Sequence, residues 1–208
     1  QEPRSLIRQF LGFFFFVGAM VYALWRYFVH YQSRHRKIRN HTLLILLVIT
    51  GGLLVVRLMT SVADILSERL ALQTFQDPLS SYYAIPFAAG GILVTLLVDT
   101  NLGIVSSIMI ATLSGLFYGD AYLAAYAMLG NLAGIYSVRQ YKDRAAILKA
   151  GLTIGLVCAL SFLGIDLIRQ VRFTFSVALA RVGVALLSGI LASALASMLL
   201  PALESLFK

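Results

Sequence analysis

Four charged side chains lie in or at the edge of stretches that are otherwise apolar: Arg57, Asp64, Asp166 and Arg181. A charge within a membrane is costly, so each of these residues calls for a partner or a function. Two arginines and two carboxylates could line an outward-facing polar pocket for a ligand. The alternative, which their positions favour, is that the arginines extend to the nearby membrane surface and pair with the acids.

The sequence contains no recognisable motif for catalysis, metal binding or phosphate binding. The histidines, His30, His35 and His41, all lie near one basic loop and have no metal-ligand partner at usable spacing. There is no glycine-rich phosphate loop followed by Lys and Ser or Thr. We therefore predict no catalytic residue, no metal site and no cofactor in this chain. Asn131, polar and in the middle of an apolar stretch, is expected to bond to a neighbouring helix, with a ligand contact as the alternative.

A proline and two glycines interrupt one of the apolar stretches. Pro86, Gly90 and Gly91 fall within residues 83–98. A proline in a membrane helix frees backbone groups and can bend the helix, so these residues form a candidate hinge. The alternative is a proline in the first turn of a helix, where it is well tolerated.

Small residues recur at a spacing of four, which lets helix backbones approach closely in lipid. This pattern predicts helix-packing positions at Gly115, Gly119, Gly130, Gly134, Gly151, Gly155, Gly189 and Ser193. The last two belong to a longer row that also holds Ala185 and Ser197. Packing inside one bundle is the favoured interpretation, and a homodimer contact through this row is the alternative.

The elements that position these residues are seven apolar stretches. Hydrophobic residues make up 60% of the chain and charged residues 12%, against about 25% charged in soluble domains. Only helices with internal backbone bonds suit such continuous runs in lipid. We predict a single all-α domain, a bundle of seven transmembrane helices, over residues 9–30, 42–66, 83–98, 102–118, 122–138, 145–168 and 175–200.

Loop charge predicts the orientation of the bundle. Basic residues are in excess in the loops after the first and fifth stretches, which include Arg34, Lys37, Arg139 and Lys142. Because Lys and Arg mark the cytoplasmic side, the N-terminus is predicted outside and the C-terminus in the cytoplasm. The formal charge of +8 is explained by these loops beside membrane lipids, and no nucleic-acid motif accompanies it.

Several segments of the chain resemble one protein family. These are Tyr83-Ala84-Ile85-Pro86, Asn101-Leu102-Gly103-Ile104-Val105, the run from Gly130 to Arg139, and Leu199-Leu200-Pro201-Ala202-Leu203-Glu204. Together they resemble the membrane domain of bacterial seven-transmembrane receptors with an intracellular HD hydrolase, the PgpH-like cyclic di-AMP phosphodiesterases. The likeness covers residues 83–207, whereas the first two stretches match only in length and hydropathy.

The resemblance implies an extracellular sensor domain before the first helix and a cytoplasmic HD phosphohydrolase, with its metal pair, after the seventh. The chain begins at Gln1 and ends at Lys208, just after a long apolar helix, so we expect it to be the middle piece of such a protein in the bacterial cytoplasmic (inner) membrane. Its expected partners are lipids and those two domains, and its expected function is signal transduction between them. The alternatives are a small transporter or substrate-binding permease subunit, and a purely structural anchor.

Overall fold

The computed structural model describes residues 11–12, 14–23, 26, 47–48, 50–52, 54–61, 82–139, 144–170 and 175–207. These residues are helical apart from short turns, and none of them lies in a strand. Asp64 and the three histidines fall outside the described ranges. By internal contacts the chain divides into two compact units, Gln1–Leu44 and Ile45–Lys208.

The first unit contains α1, Phe14–Ala23. The second contains α2, described over residues 54–61 with helical residues at 47–48 and 50–52. It also contains five longer elements, which are α3 (Ala88–Leu97), α4 (Thr100–Tyr118), α5 (Ala121–Arg139), α6 (Arg144–Ile168) and α7 (Phe175–Phe207).

Four helices of the described part are long and apolar enough to cross a membrane. Their apolar spans are Thr100–Tyr118, Ala121–Arg139, Lys149–Ile168 and Val177–Ser205, close to the last four stretches predicted from hydropathy. The third stretch differs, because regular helix begins only at Ala88. Ten residues of helix span about 15 Å, about half of the hydrocarbon core of a bilayer.

The turns that flank α4 explain where that helix begins and ends. Asp99 caps its start, and its carboxylate accepts a hydrogen bond from the Asn101 amide at 3.2 Å. Gly119 ends it with a φ of 64°, a left-handed conformation that costs glycine little. A Cβ on Gly119 would meet no atom within 4 Å. The structure therefore places Gly119 at a helix cap, where the spacing pattern predicted helix packing.

The helices α6 and α7 approach each other closely along a row of small residues. A Cβ on Gly189 would collide with the backbone of Gly155, and one on Gly151 would collide with the Ser193 hydroxyl. Ser193 is fully buried, so this row is covered by α6 within one chain. The possible homodimer stays a prediction.

Two other glycines of the pattern lie against neighbouring helices. A Cβ on Gly115 would come within 2.5 Å of the Ala124 side chain in α5, and one on Gly134 within 2.9 Å of Ile92 in α3. A Cβ on Gly130 would lie 3.0 Å from the Cys158 sulfur of α6. The large apolar side chains of α6 that point away from these contacts are exposed, as lipid-facing residues should be: Leu152, Leu156 and Leu160.

Candidate functional site

Non-helical backbone lies inside the bundle just before α3. Residues 83–87 form turns and a bend, and Tyr83, Ile85 and Phe87 are at most 4% exposed. Pro86 explains the irregularity, since proline lacks an N–H and disfavours helical backbone at the residue before it. We call residues 83–87 the α3 break. Such backbone is tolerated at membrane depth only where protein groups satisfy its polar atoms.

Side chains of α5 and α7 supply those groups. The Tyr126 hydroxyl donates to the Tyr83 carbonyl at 2.7 Å, and the Ser188 hydroxyl donates to the Ile85 carbonyl at 2.9 Å. Both hydroxyl-bearing residues are buried. The α3 break is therefore held by one helix on each of two sides, and α7 is tied to it directly.

Asn131 supports the first turn of α3 from α5. Its Oδ1 accepts a hydrogen bond from the Gly91 amide at 3.1 Å, and its Nδ2 donates to the Ala127 carbonyl at 2.9 Å. A Cβ on Gly91 would lie 2.6 Å from that Oδ1, so glycine is what allows the approach. Asn131 bonds to a neighbouring helix, the first of the two roles considered from the sequence. Gly90 faces Ile110 of α4, whose Cδ1 would lie 2.5 Å from an added Cβ.

An aromatic residue of the α3 break, Tyr83, packs against rings from two other helices. Tyr83 stacks on Phe162 of α6, with ring centroids 4.2 Å apart and planes 18° apart. Tyr83 also meets Tyr126 edge-on at 4.8 Å. Aromatic pairs in such geometries contribute about 0.5–1.5 kcal/mol beyond the area they bury. The cluster joins the α3 break to α6 as well as to α5.

A buried ion pair lies beside this aromatic cluster. Arg181 of α7 approaches the Asp166 carboxylate of α6 at 2.7 Å, and the two side chains are 9% and 7% exposed. The Arg181 guanidinium also lies over the Phe162 ring, 5.6 Å from its centroid. The structure thus brings together two of the four charged residues considered from the sequence, as a pair rather than as part of an open pocket.

The third charged residue has different neighbours. Arg57 is exposed, and its guanidinium lies 5.2 Å from the ring centroid of Phe117 in α4. One turn later, Thr60 accepts a hydrogen bond from the Tyr118 hydroxyl at 3.0 Å. Arg57 and Arg181 therefore contact different helices. The predicted role of Asp64 lies outside the described residues.

A second ion pair was not anticipated from the sequence. Both carboxylate oxygens of Asp120 lie 2.6 Å from Arg169 Nη2, and the arginine also covers the Tyr122 ring at 4.6 Å. Asp120 follows the glycine cap of α4, and its carboxylate accepts from the Tyr122 amide at 3.0 Å. The pair ties the α4–α5 turn to the end of α6. Its members are 49 residues apart in the chain, so no local spacing could have indicated it.

These polar groups connect one helix to another. Within the described part of the chain, no group of three or more His, Cys, Asp or Glu residues could hold a metal ion. Around the α3 break, the side chains of Tyr126, Asn131 and Ser188 are hydrogen-bonded to backbone groups. Such an arrangement can hold helices in one packing, and moving α7 would break or shift several bonds together.

Comparison with known proteins identifies the family of this chain. The family described as 7TM receptor with intracellular HD hydrolase matches residues 7–208. The cyclic-di-AMP phosphodiesterase PgpH of Bacillus subtilis (strain 168) is 22% identical over 211 residues, which cover 98% of this chain and 28% of that protein. The chain thus spans less than a third of the length of that relative. No solved structure matches the chain. Because the family match extends over almost all of the sequence, the chain belongs to the family of seven-transmembrane receptors with an intracellular HD hydrolase.

Proposed function

We propose that this chain is the membrane module that couples an extracellular sensor domain to a cytoplasmic HD-type cyclic di-AMP phosphodiesterase. The family match and the name of the Bacillus relative support the association with such an enzyme. In this proposal the bundle has seven spans in the bacterial cytoplasmic membrane, with its N-terminus outside and its C-terminus inside. The hydrolase and its metal pair would belong to another part of the protein.

The observation that carries the proposal is the length and attachment of α7. This helix runs unbroken for 33 residues, about 50 Å at 1.5 Å per residue, whereas the hydrocarbon core is about 30 Å thick. Part of α7 is therefore expected to extend beyond the hydrocarbon core. Inside the bundle the same helix is bonded to the α3 break through Ser188 and to α6 through Arg181. A shift in the bundle would move the end of α7.

Coupling requires two packings of similar energy. At the glycine contact between α6 and α7, few side chains stand between the two helices, so one helix can shift against the other. The Ser188–Ile85 hydrogen bond and the Asp166–Arg181 pair hold the observed arrangement. A signal that favours a second arrangement has to release those bonds. Releasing the hydrogen bond costs about 1 kcal/mol, the contribution of a typical intramolecular hydrogen bond, and separating the buried ion pair is the larger cost.

A reversible disulfide tests this proposal. A Cβ on Gly151 would lie 3.1 Å from the Ser193 Cβ, close to the roughly 3.5–4.5 Å separation found in disulfides. In the full-length protein with Cys158 replaced by serine, Gly151→Cys with Ser193→Cys would fix α6 to α7 when oxidised. Hydrolysis of cyclic di-AMP in nanodiscs would be measured before and after reduction, with each single-cysteine variant as control.

We expect the oxidised double variant to differ from its reduced form in hydrolysis rate, and the single variants not to respond to the reductant. Ser188→Ala should also change the rate, because it removes the bond to the α3 break. Ser205→Ala is its control, since that exposed hydroxyl donates to the Ala202 carbonyl of its own helix. A rate that is indifferent to both the disulfide and Ser188→Ala would exclude coupling through α7.

A further inference from the structure

An apolar cavity of about 260 Å³ lies between α2, the start of α3 and the last turns of α7. Every residue that lines it is aliphatic, aromatic, glycine or proline. Its inner wall includes Phe87, Leu93 and Ile110, which are 4%, 4% and 1% exposed. The cavity borders the α3 break through Pro86 and Phe87, but Tyr126, Asn131 and Ser188, whose side chains bond there, do not line it.

Glycines, which have no side chain, leave this space open. Gly51 and Gly52 of α2 and Gly90 of α3 all line the cavity. A Cβ on Gly52 would lie 3.7 Å from Ile110 Cδ1, an ordinary contact, and a Cβ on Gly51 would meet nothing within 4 Å. The α2 glycines therefore leave room that a larger side chain could occupy without moving the backbone.

Water is a poor occupant of this space. A buried water needs about two to four polar partners, and an apolar cavity of about 150 Å³ in another protein stays dry and takes up benzene. The lining atoms gain dispersion contacts when an apolar group fills the space.

The rim of the cavity shows which apolar group can reach it. Leu47, Leu54 and Leu199 line the cavity and are 43%, 58% and 40% exposed. In a chain of membrane-spanning helices, exposed leucines of this kind face lipid. The apolar group at the highest concentration beside this rim is the acyl chain of a phospholipid. We propose that the cavity binds one phospholipid acyl chain, which enters from the bilayer between α2 and α7.

Photolabelling tests the occupant without relying on any enzymatic activity. The full chain would be placed in nanodiscs of phosphatidylcholine that carries a diazirine at the end of one acyl chain, illuminated, digested and mapped by mass spectrometry. We expect label on Phe87, Leu93 and Ile110, which lipid around the bundle cannot touch. Label on exposed Leu156 and Leu160 of α6 reports that surrounding lipid.

Gly52→Leu should fill the cavity and abolish label on the three buried residues while leaving label on α6 unchanged. Gly164→Leu is the matched control, because a Cβ there meets nothing within 4 Å and the residue does not line the cavity. Protection of the buried Cys158 thiol from a thiol-reactive dye checks folding, and Gly51→Leu replaces Gly52→Leu if that variant is unfolded. Label confined to exposed residues, or buried label that survives in a folded cavity-filling variant, would overturn the proposal.

Discussion

Breaking the buried Asp166–Arg181 pair should be among the most destabilising single changes in this chain. Asp166→Leu leaves the guanidinium of Arg181 in a site where both side chains are less than 10% exposed. Removing one partner of a buried ion pair costs about 3–5 kcal/mol, because the remaining charge has lost both water and its partner. For a chain of this size, that corresponds to a fall in the unfolding midpoint on the order of 10 °C.

The double variant separates the cost of an orphaned charge from the value of the pair. Asp166→Leu with Arg181→Leu removes both charges, and replacing a buried pair by apolar residues is often neutral or stabilising by about 1–4 kcal/mol. We therefore expect Arg181→Leu alone to be destabilising and the double variant to recover most of the lost stability. The effects of the two substitutions on stability should therefore be strongly non-additive, as expected for residues in direct contact.

The chain contains its own reporter for the measurement. Cys158 is the single cysteine and is 3% exposed, so a fluorogenic thiol-reactive dye should report unfolding of the α6 region on heating in detergent. Glu204→Leu, which alters an exposed carboxylate on α7, is the control and should stay within about 0.5 kcal/mol of the parent. An Asp166→Leu midpoint no lower than that of Glu204→Leu would refute the argument. So would a double variant as unstable as the sum of the two single variants.

The same assay checks two further predictions. Gly189→Ala should destabilise by about 1–3 kcal/mol or more, since the new methyl meets the backbone of Gly155. Gly183→Ala, where an added Cβ meets nothing within 4 Å, should not destabilise, and equal effects of the two changes would contradict the packing argument. Tyr126→Phe should cost about 1–3 kcal/mol, because it removes the donor to a buried carbonyl of the α3 break. Tyr136→Phe on the exposed face of α5 should have little effect, and a Tyr126→Phe midpoint equal to it would show that the hydrogen bond contributes nothing.

The positions of α4 to α7 could be read from the sequence because two independent signals agree there. Hydropathy marks the apolar lengths, and residues such as Asp99 and Gly119 supply the caps that end them. The third apolar stretch differs, because hydropathy alone does not locate the start of its helix. Its hydropathy continues from Tyr83 to Val98, but Pro86 interrupts the backbone hydrogen bonds, and hydropathy does not register backbone bonds.

The partners of individual residues could not be read from the sequence. Ser188 and Ile85 are 103 residues apart, and a buried serine in a helix is also compatible with a bond to its own backbone. The four-residue spacing of glycines has the same limit. It is the same at Gly119 and Gly189, yet one residue caps a helix and the other contacts a neighbouring backbone. Spacing shows that a close approach is possible, and only the fold shows whether a neighbour is there.

The contacts of α7 are unevenly distributed along its length, and this limits how it could transmit a signal. Its first half is fixed by the ion pair of Arg181, the hydrogen bond of Ser188 and the backbone contact of Gly189. Its last turns border the apolar cavity through Leu199 and contain Pro201, which cannot donate a backbone hydrogen bond to the preceding turn. A rigid slide of the whole helix would break all of the first-half contacts at once. Under the proposed coupling, the release of α7 is therefore a single concerted step, and a change of direction near Pro201 would add to that step without replacing it.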